Sequence, residues 1–408
     1  MKNRKQWFLF VCGVTALAVS SRINDSIFNN YLKDVFDIKA QARGQLEFPR
    51  ELPGFLVVLM AGLLAALPVT RLGLVGGIVM AVGTAGLGLV GAHWYPMLGM
   101  MMLGSAGMHL LQPTTSSIAI GLSKAHERGK RLGEMGAFQT VGTLIGCGFV
   151  FLMFDDKTPP RYNLAFLCAG GVAVVSALLF GLMYIPHLHQ PRSRLVIKRK
   201  YGLYYILELF FGARKQIFIT FGPWVLIKVY DARASDIAGL FVIASILGIG
   251  FKPIVGWAID RFGERTVMIA DGLTLIFVCL GYGYAFEFTG DMRTAHWLAS
   301  GCFVLDEMLF AMGTSRAVYA SRLTDSPQEL ASTLSMGISV NHIVSMIIPA
   351  VAGIIWDGYG YQRLFAAAAV FALITAGVSS LTPRKGVLSG TDHSGVPQPP
   401  EPVIPEAD

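Results

Sequence analysis

WFLFVCGVTALAVSSRINDSIFNN, residues 7–30, starts as a greasy run and then turns polar, with Arg22 and Asp25 three residues apart. Two readings compete. With the basic start MKNRK and the small-residue stretch Ala16-Leu17-Ala18, it resembles a cleaved secretory leader. Alternatively it is a membrane-crossing helix that carries charge into the lipid because something is bound there. The choice decides whether the chain crosses the membrane eleven times or twelve.

The rest of the chain favours the second reading. Of 408 residues 53% are apolar and 14% charged, and the mean hydropathy is +0.56. A soluble domain has about 25% charged residues. The apolar residues fall into runs of the roughly 20 residues needed to cross a hydrocarbon layer. These predict spans at 7–35, 45–68, 72–92, 96–120, 133–154, 163–186, 202–230, 235–258, 266–287, 294–318, 329–356 and 361–382. Lipid offers an unpaired amide no partner, so each span should be a helix. The expectation is an all-α polytopic membrane protein.

Lys and Arg orient it. With a cytoplasmic N-terminus, eighteen lie in inner segments and eight in outer ones, which places both termini in the cytoplasm. The net charge of +7 is largely this asymmetry, so nucleic acid is not an expected partner. The five cysteines all fall within predicted spans and have no metal-ligand spacing. No metal or cofactor is expected. The absence of H-E-x-x-H, G-x-S-x-G and P-loop patterns argues against an enzyme.

The basic stretch PHLHQPRSRLVIKRK (186–200) divides the chain, and the two parts match. Val35-Phe36-Asp37-Ile38-Lys39-Ala40 is echoed by Val229-Tyr230-Asp231-Ala232-Arg233-Ala234, and Thr70-Arg71-Leu72-Gly73 by Asp260-Arg261-Phe262-Gly263. A cleaved leader would remove one member of this repeat. The domains expected are a six-helix bundle at 1–186, a cytoplasmic linker at 187–201, a second bundle at 202–383 and a disordered tail at 384–408. Two pseudo-symmetric bundles related by an axis along the membrane normal form a transporter architecture.

The segment Gly256-Trp-Ala-Ile-Asp260-Arg261-Phe-Gly263-Glu-Arg265 resembles the G-x-x-x-D-R-x-G-x-R loop of the major facilitator superfamily. The resemblance implies that Gly256, Asp260, Arg261, Gly263 and Arg265 form a cytoplasmic gate latch. The first-half copy departs from the pattern, with Thr70 in place of the acid and no second Arg. Span five has Gly142-Thr-Leu-Ile-Gly146 and lacks the Gly-Pro core of drug/proton antiporters.

Seven cations remain after the loop census, Arg22, Arg50, Arg214, Lys215, Lys228, Lys252 and Arg316, and the acids at comparable depth are Asp25, Glu47, Glu51, Glu208, Asp271, Asp306 and Glu307. Each uncompensated charge costs about 2.5–3.5 kcal/mol at mid-bilayer. Together that is roughly 40 kcal/mol, beyond a protein's whole stability of about 5–15 kcal/mol. They must pair, snorkel or face water. Lys228 and Arg316 are expected to snorkel, and Glu47, Arg50 and Glu51 to be partly hydrated near the outer surface.

Arg22, Asp25 and Asn29, at i, i+3 and i+7, share one helix face. By the repeat, Arg214 and Lys215 reach the same depth on span seven. Span four adds His109 and Gln112, and span eleven adds Asn341 and His342. These nine are the expected substrate-binding residues. Asp306, Glu307 and Glu47 are the expected proton-coupling acids. Adjacent Asp306 and Glu307 diverge by about 100°, so one can face a cavity while the other pairs elsewhere. The reading is a monomeric secondary transporter in the plasma membrane (the inner membrane of a Gram-negative cell). Its expected solute is small, organic and anionic or zwitterionic, with proton coupling. The competing reading is export of an amphipathic compound or lipid.

Overall fold

The computed structural model describes residues 2–59, 67–124, 127–154, 159–185 and 197–384. Most of the expected linker 187–201 and of the expected tail 384–408 lies outside these residues. The helices are α1 (Lys2–Phe36), α2 (Ala40–Gln45), α3 (Glu47–Leu59), α4 (Val69–Leu89), α5 (Trp94–Gly121), α6 (Arg128–Met153) and α7 (Tyr162–Gly181) in the first half. The second half has α8 (Gly202–Lys228), α9 (Ala234–Phe262), α10 (Glu264–Thr289), α11 (Met292–Leu309), α12 (Thr314–Leu323), α13 (Pro327–Tyr359) and α14 (Tyr361–Ser379). Among the described residues, eight helices are long and apolar enough to cross a membrane.

Span two starts earlier than expected, as the short α2 before α3, and span ten is split. Its split is a 3-10 turn at Phe310–Gly313 between α11 and α12. The N-terminal run stays helical through Phe36. At 1.5 Å per residue its 35 residues extend about 52 Å, longer than the hydrocarbon core.

The repeat is visible in the packing. In the first half α4 lies against α5 and α7, and α1 against α6. In the second, α10 lies against α11 and α14, and α8 against α13. In lipid such contacts rest on close packing, which small residues permit. Corresponding glycines do this in both halves: a Cβ on Gly77 would stand 2.7 Å from Ala177 Cβ, and one on Gly272 would stand 2.9 Å from Ala376 Cβ. The halves meet where α13 crosses α2 and α3, and where α6 crosses α9. The protein is therefore twelve membrane spans in two pseudo-symmetric bundles.

The end that carries Lys2 and Ser379 is called proximal, and the end that carries Asp37 and Asp231 distal. At the distal end one apolar core runs through both halves, with Ile27, Tyr31 and Leu32 in the same cluster as Phe221, Trp224 and Leu226. Toward the proximal end the clusters separate. Phe10, Val69 and Phe180 belong to a cluster within the first half, and Tyr204, Met268 and Tyr319 to one within the second.

Polar contacts fasten the same distal end. Asn30 donates to the Ala232 carbonyl at 2.9 Å, and Lys228 pairs with Asp37 at 3.0 Å. Lys33 pairs with Asp231. The α2 N-terminus has no acid of its own in its first turn, and the Asp357 carboxylate of α13 accepts from the Ala40 and Gln41 amides at 3.2 and 2.9 Å. That acid at the positive end of a helix dipole is supplied by the opposite bundle. The close approach needs Gly44, since a Cβ there would stand 2.0 Å from the Pro349 carbonyl oxygen.

Candidate functional site

Between the halves, inward of the distal closure, lies a cavity of about 610 Å³. Helix α1 turns Arg22, Asp25 and Asn29 toward it. Asp25 is exposed to the cavity, and the Arg22 guanidinium lies 4.1 Å from the centre of the Phe241 ring across the seam. Among the described residues neither Arg22 nor Asp25 forms a hydrogen bond or ion pair. Asn29 is held differently, its Oδ1 accepting from Arg43 Nε at 2.7 Å.

From Asn29 a line of charge runs across the cavity wall. Arg43 pairs with Glu47 at 2.6 Å, Glu47 with Arg50 at 2.7 Å, and Arg50 with Glu51 at 3.6 Å. Glu51 meets His342 Nδ1 of the other half at 3.0 Å. Gln216 of α8 also donates to Glu47, at 2.6 Å. The expected hydration of Glu47 and Glu51 is therefore corrected. Glu47 is fully buried with three donors around it, does not line the cavity, and Glu51 is 6% exposed.

The second half places its adjacent charges on opposite sides of a wall. Lys215 lines the cavity and donates to Asn341 Oδ1 at 2.8 Å. Arg214, turned one residue away, is buried inside the bundle between Asp306 at 3.1 Å and Asp271 at 3.6 Å. Glu307 lines the cavity, and Asp306 does not. The structure thus removes Arg214, Asp306 and Glu47 from the cavity wall. It leaves there Arg22, Asp25, Asn29, His109, Gln112, Lys215, Glu307, Asn341 and His342.

The expectation that Arg316 snorkels is corrected as well. Arg316 is buried, pairs with Glu208 at 2.9 Å and lies 3.4 Å over the Phe211 ring. Lys228, by contrast, reaches the distal surface, where it pairs with exposed Asp37 at 3.0 Å. Arg43 and Gln216 are cavity-lining residues that sequence reasoning passed over, and Glu208, expected only as an embedded acid, lines the cavity too. Arg43, one of the eight cations expected in outer segments, is instead buried between Asn29 and Glu47.

The latch motif occupies the proximal end of α9. Gly256, Asp260 and Arg261 are exposed on its last turns, and Arg265 is half-buried at the start of α10. Gly263 has φ 83°, a backbone state that favours glycine, and it joins the two helices directly. The ion pair that ties this turn involves a residue outside the expected set: buried Glu264 meets Arg322 of α12 at 3.1 Å.

Among the described residues, two cations of the cavity wall, Arg22 and Lys215, form no ion pair with an acid, and two acids, Asp25 and Glu307, form none with a cation. Phe28, Phe211, Phe241, Phe303 and Phe310 supply apolar wall between them. Such a chamber can hold a small solute with charged and apolar parts.

Known proteins share this architecture. A crystal structure of the nucleoside transporter NupG overlays with a TM-score of 0.73 at 14% identity, covering 92% of this chain and 98% of that one. A D-xylose-proton symporter overlays with a TM-score of 0.68 at 14% identity, covering 91% and 97%. In sequence, 134 residues are 34% identical to MdtD of Klebsiella pneumoniae, a protein named for multidrug resistance, covering 31% of this chain. The chain spans about a quarter of the length of that relative (26%). The Major Facilitator Superfamily profile matches residues 51–327 and 205–403, so most of both bundles falls under it. With both bundles largely under that profile, the chain belongs to the Major Facilitator Superfamily.

Proposed function

We propose that the protein carries a small organic solute bearing a carboxylate, anionic or zwitterionic, by alternating access with proton coupling. The observation that carries the reading is the exposure of Arg22 and Lys215 to the cavity with no ion pair to an acid among the described residues. In a low-dielectric chamber a cation left unpaired is costly, and a solute carboxylate relieves that cost. Glu307 is the acid placed to take and release a proton, since it faces the same chamber without a cation partner. The two bundles, 1–186 and 202–383, rock about the cavity, and the conformation described is closed at its distal end. The charge asymmetry of the loops supports a cytoplasmic proximal end, and the plasma membrane is the site of action we propose.

The test is a ligand-stabilisation screen on purified protein at two pH values, repeated with Arg22→Gln. Carboxylate-bearing solutes should raise the melting temperature of the wild type, and the rise should disappear in the variant. Stabilisation by neutral or cationic amphipaths, unchanged in Arg22→Gln, would overturn the reading. It would favour export of an amphipathic compound instead, a possibility supported by the partial likeness to MdtD and the five wall phenylalanines.

A further inference from the structure

We propose that Glu51, His109 and His342 form a binding site for a divalent transition-metal ion of the zinc class, and that the bound ion ties the two bundles together. The site is independent of which solute the cavity carries.

The donors come from three helices, α3, α5 and α13, so no sequence spacing could reveal them. One ligand atom from each lies within 4.8 Å of the others, and all three side chains are buried. Glu51 Oε2 and His342 Nδ1 already stand 3.0 Å apart. Donors bonded at about 2.0–2.1 Å to a tetrahedral ion lie about 3.3 Å from one another, so the remaining gap closes by side-chain rotation. The two imidazoles are 4.9 Å apart, ring to ring.

Three further observations point to a ligand. His109 is only 6% exposed, yet its Nε2 has no hydrogen-bond partner among the described residues. Buried ring nitrogens are normally satisfied, so an orphan beside another imidazole and a carboxylate is a vacant donor. Space for both rings is made by Gly54, where a Cβ would stand 2.7 Å from His109 Nδ1 and 2.8 Å from His342 Cε1. All three side chains line the cavity, which gives the ion an entry path and an open fourth position.

Of the neighbouring cations, Arg50 is paired with an acid and Lys215 is turned to a neutral amide. Arg50 is held by Glu47 at 2.7 Å and lies 3.6 Å from Glu51 Oε1, which leaves Oε2 available. Lys215 donates to Asn341 at 2.8 Å. Two imidazoles with one carboxylate suit zinc-class ions, whereas calcium and magnesium want an all-oxygen shell. Glu51 and His109 belong to the first bundle and His342 to the second. Occupancy therefore bridges the seam.

Isothermal titration of the full chain, with no affinity tag, against Zn²⁺ alone tests binding. Co²⁺ absorption reads the geometry, and spin labels on the two bundles read their separation. The expected result is one ion bound in the micromolar range or tighter, tetrahedral-type Co²⁺ bands, and a narrowed inter-bundle distance distribution. His109→Ala should weaken Zn²⁺ binding by at least about tenfold while keeping its own melting temperature, because the Glu51–His342 contact survives it. Gly54→Ala, which crowds both rings, should weaken it too. A requirement for millimolar Zn²⁺, wild-type affinity in a His109→Ala/His342→Ala variant, or binding that leaves the inter-bundle distances unchanged would each overturn the proposal.

Discussion

Asp37 and Asp231 occupy equivalent places in the two halves, each in a left-handed backbone state (φ 43° and 55°) just beyond the first helix of its bundle. Each is paired with a lysine of the opposite bundle: Asp37 with Lys228, and Asp231 with Lys33. The exchange is reciprocal, as a two-fold relation between the bundles requires, and it spans the distal closure. Both aspartates are largely exposed, so the pairs steer and register the closed ends more than they bind them.

Asp37→Asn/Asp231→Asn should loosen the distal end without unfolding the bundles, because Asn also tolerates the left-handed state. Faster hydrogen exchange across residues 229–234, with an unchanged melting temperature, is the expected outcome. Asp37→Ala should cost more than Asp37→Asn, since Ala adds backbone strain to the loss of charge. The Lys228 ammonium holds the Asp37 carboxyl below its usual pKa. A depressed acid contributes above its unfolded pKa of about 3.9 and loses that contribution as pH falls through the folded value. Protection at this end, corrected for the intrinsic pH dependence of amide exchange, should therefore be flat from neutral pH down to about pH 5 and fall only below it.

Gly44→Ala should hold the distal end open. Its Cβ would meet the Pro349 carbonyl oxygen at 2.0 Å, and backbone on both sides cannot yield as a side chain would. With the native cysteines replaced and Ile38→Cys installed as a reporter (8% exposed), a water-soluble maleimide should label the Gly44→Ala protein faster. Equal labelling rates would mean that the seam closes around the added methyl.

Arg214→Gln should act on stability first. It leaves Asp271 and Asp306 as unpaired buried acids, and breaking a buried pair costs about 3–5 kcal/mol. Restoring balance with Asp306→Asn should recover part of the melting temperature. If Arg214→Gln instead melts like the wild type and loses only ligand-induced stabilisation, the residue acts on solute after all.

Arg22→Gln and Glu307→Gln should divide the two tasks of the cavity. The first loses its contact with the Phe241 ring, worth about 0.5–2 kcal/mol, so it should fold yet fail to respond to carboxylate solutes. The second should keep ligand-induced stabilisation and lose its dependence on pH. A pH dependence that persists in Glu307→Gln would move proton coupling to another group.

Much of this fold was legible because membrane physics writes it into runs of apolar residues. The twelve spans, the matched turns at Asp37 and Asp231, and the shared face of Arg22, Asp25 and Asn29 all follow from periodicity and order. Pairing was not legible. Glu51 and His342 are 291 residues apart, and their contact exists only because α3 packs on α13. The same holds for Arg316, whose partner Glu208 is 108 residues away, which is why it resembled a snorkelling cation. Which of two adjacent charges faces water also depends on helix rotation. The sequence therefore left Arg214 and Lys215 equivalent until the helix was set.

Glu47 holds Arg43 and Arg50 of its own bundle, and across the seam it takes a neutral amide from Gln216. If the bundles part there, the ionic bonds travel together as a preassembled unit and only an uncharged donor must find a new companion. A carrier that has to separate and rejoin on every cycle gains from this division. At this point of the seam the ionic attachments are carried along by one moving body, and the interruption is one that water can make good.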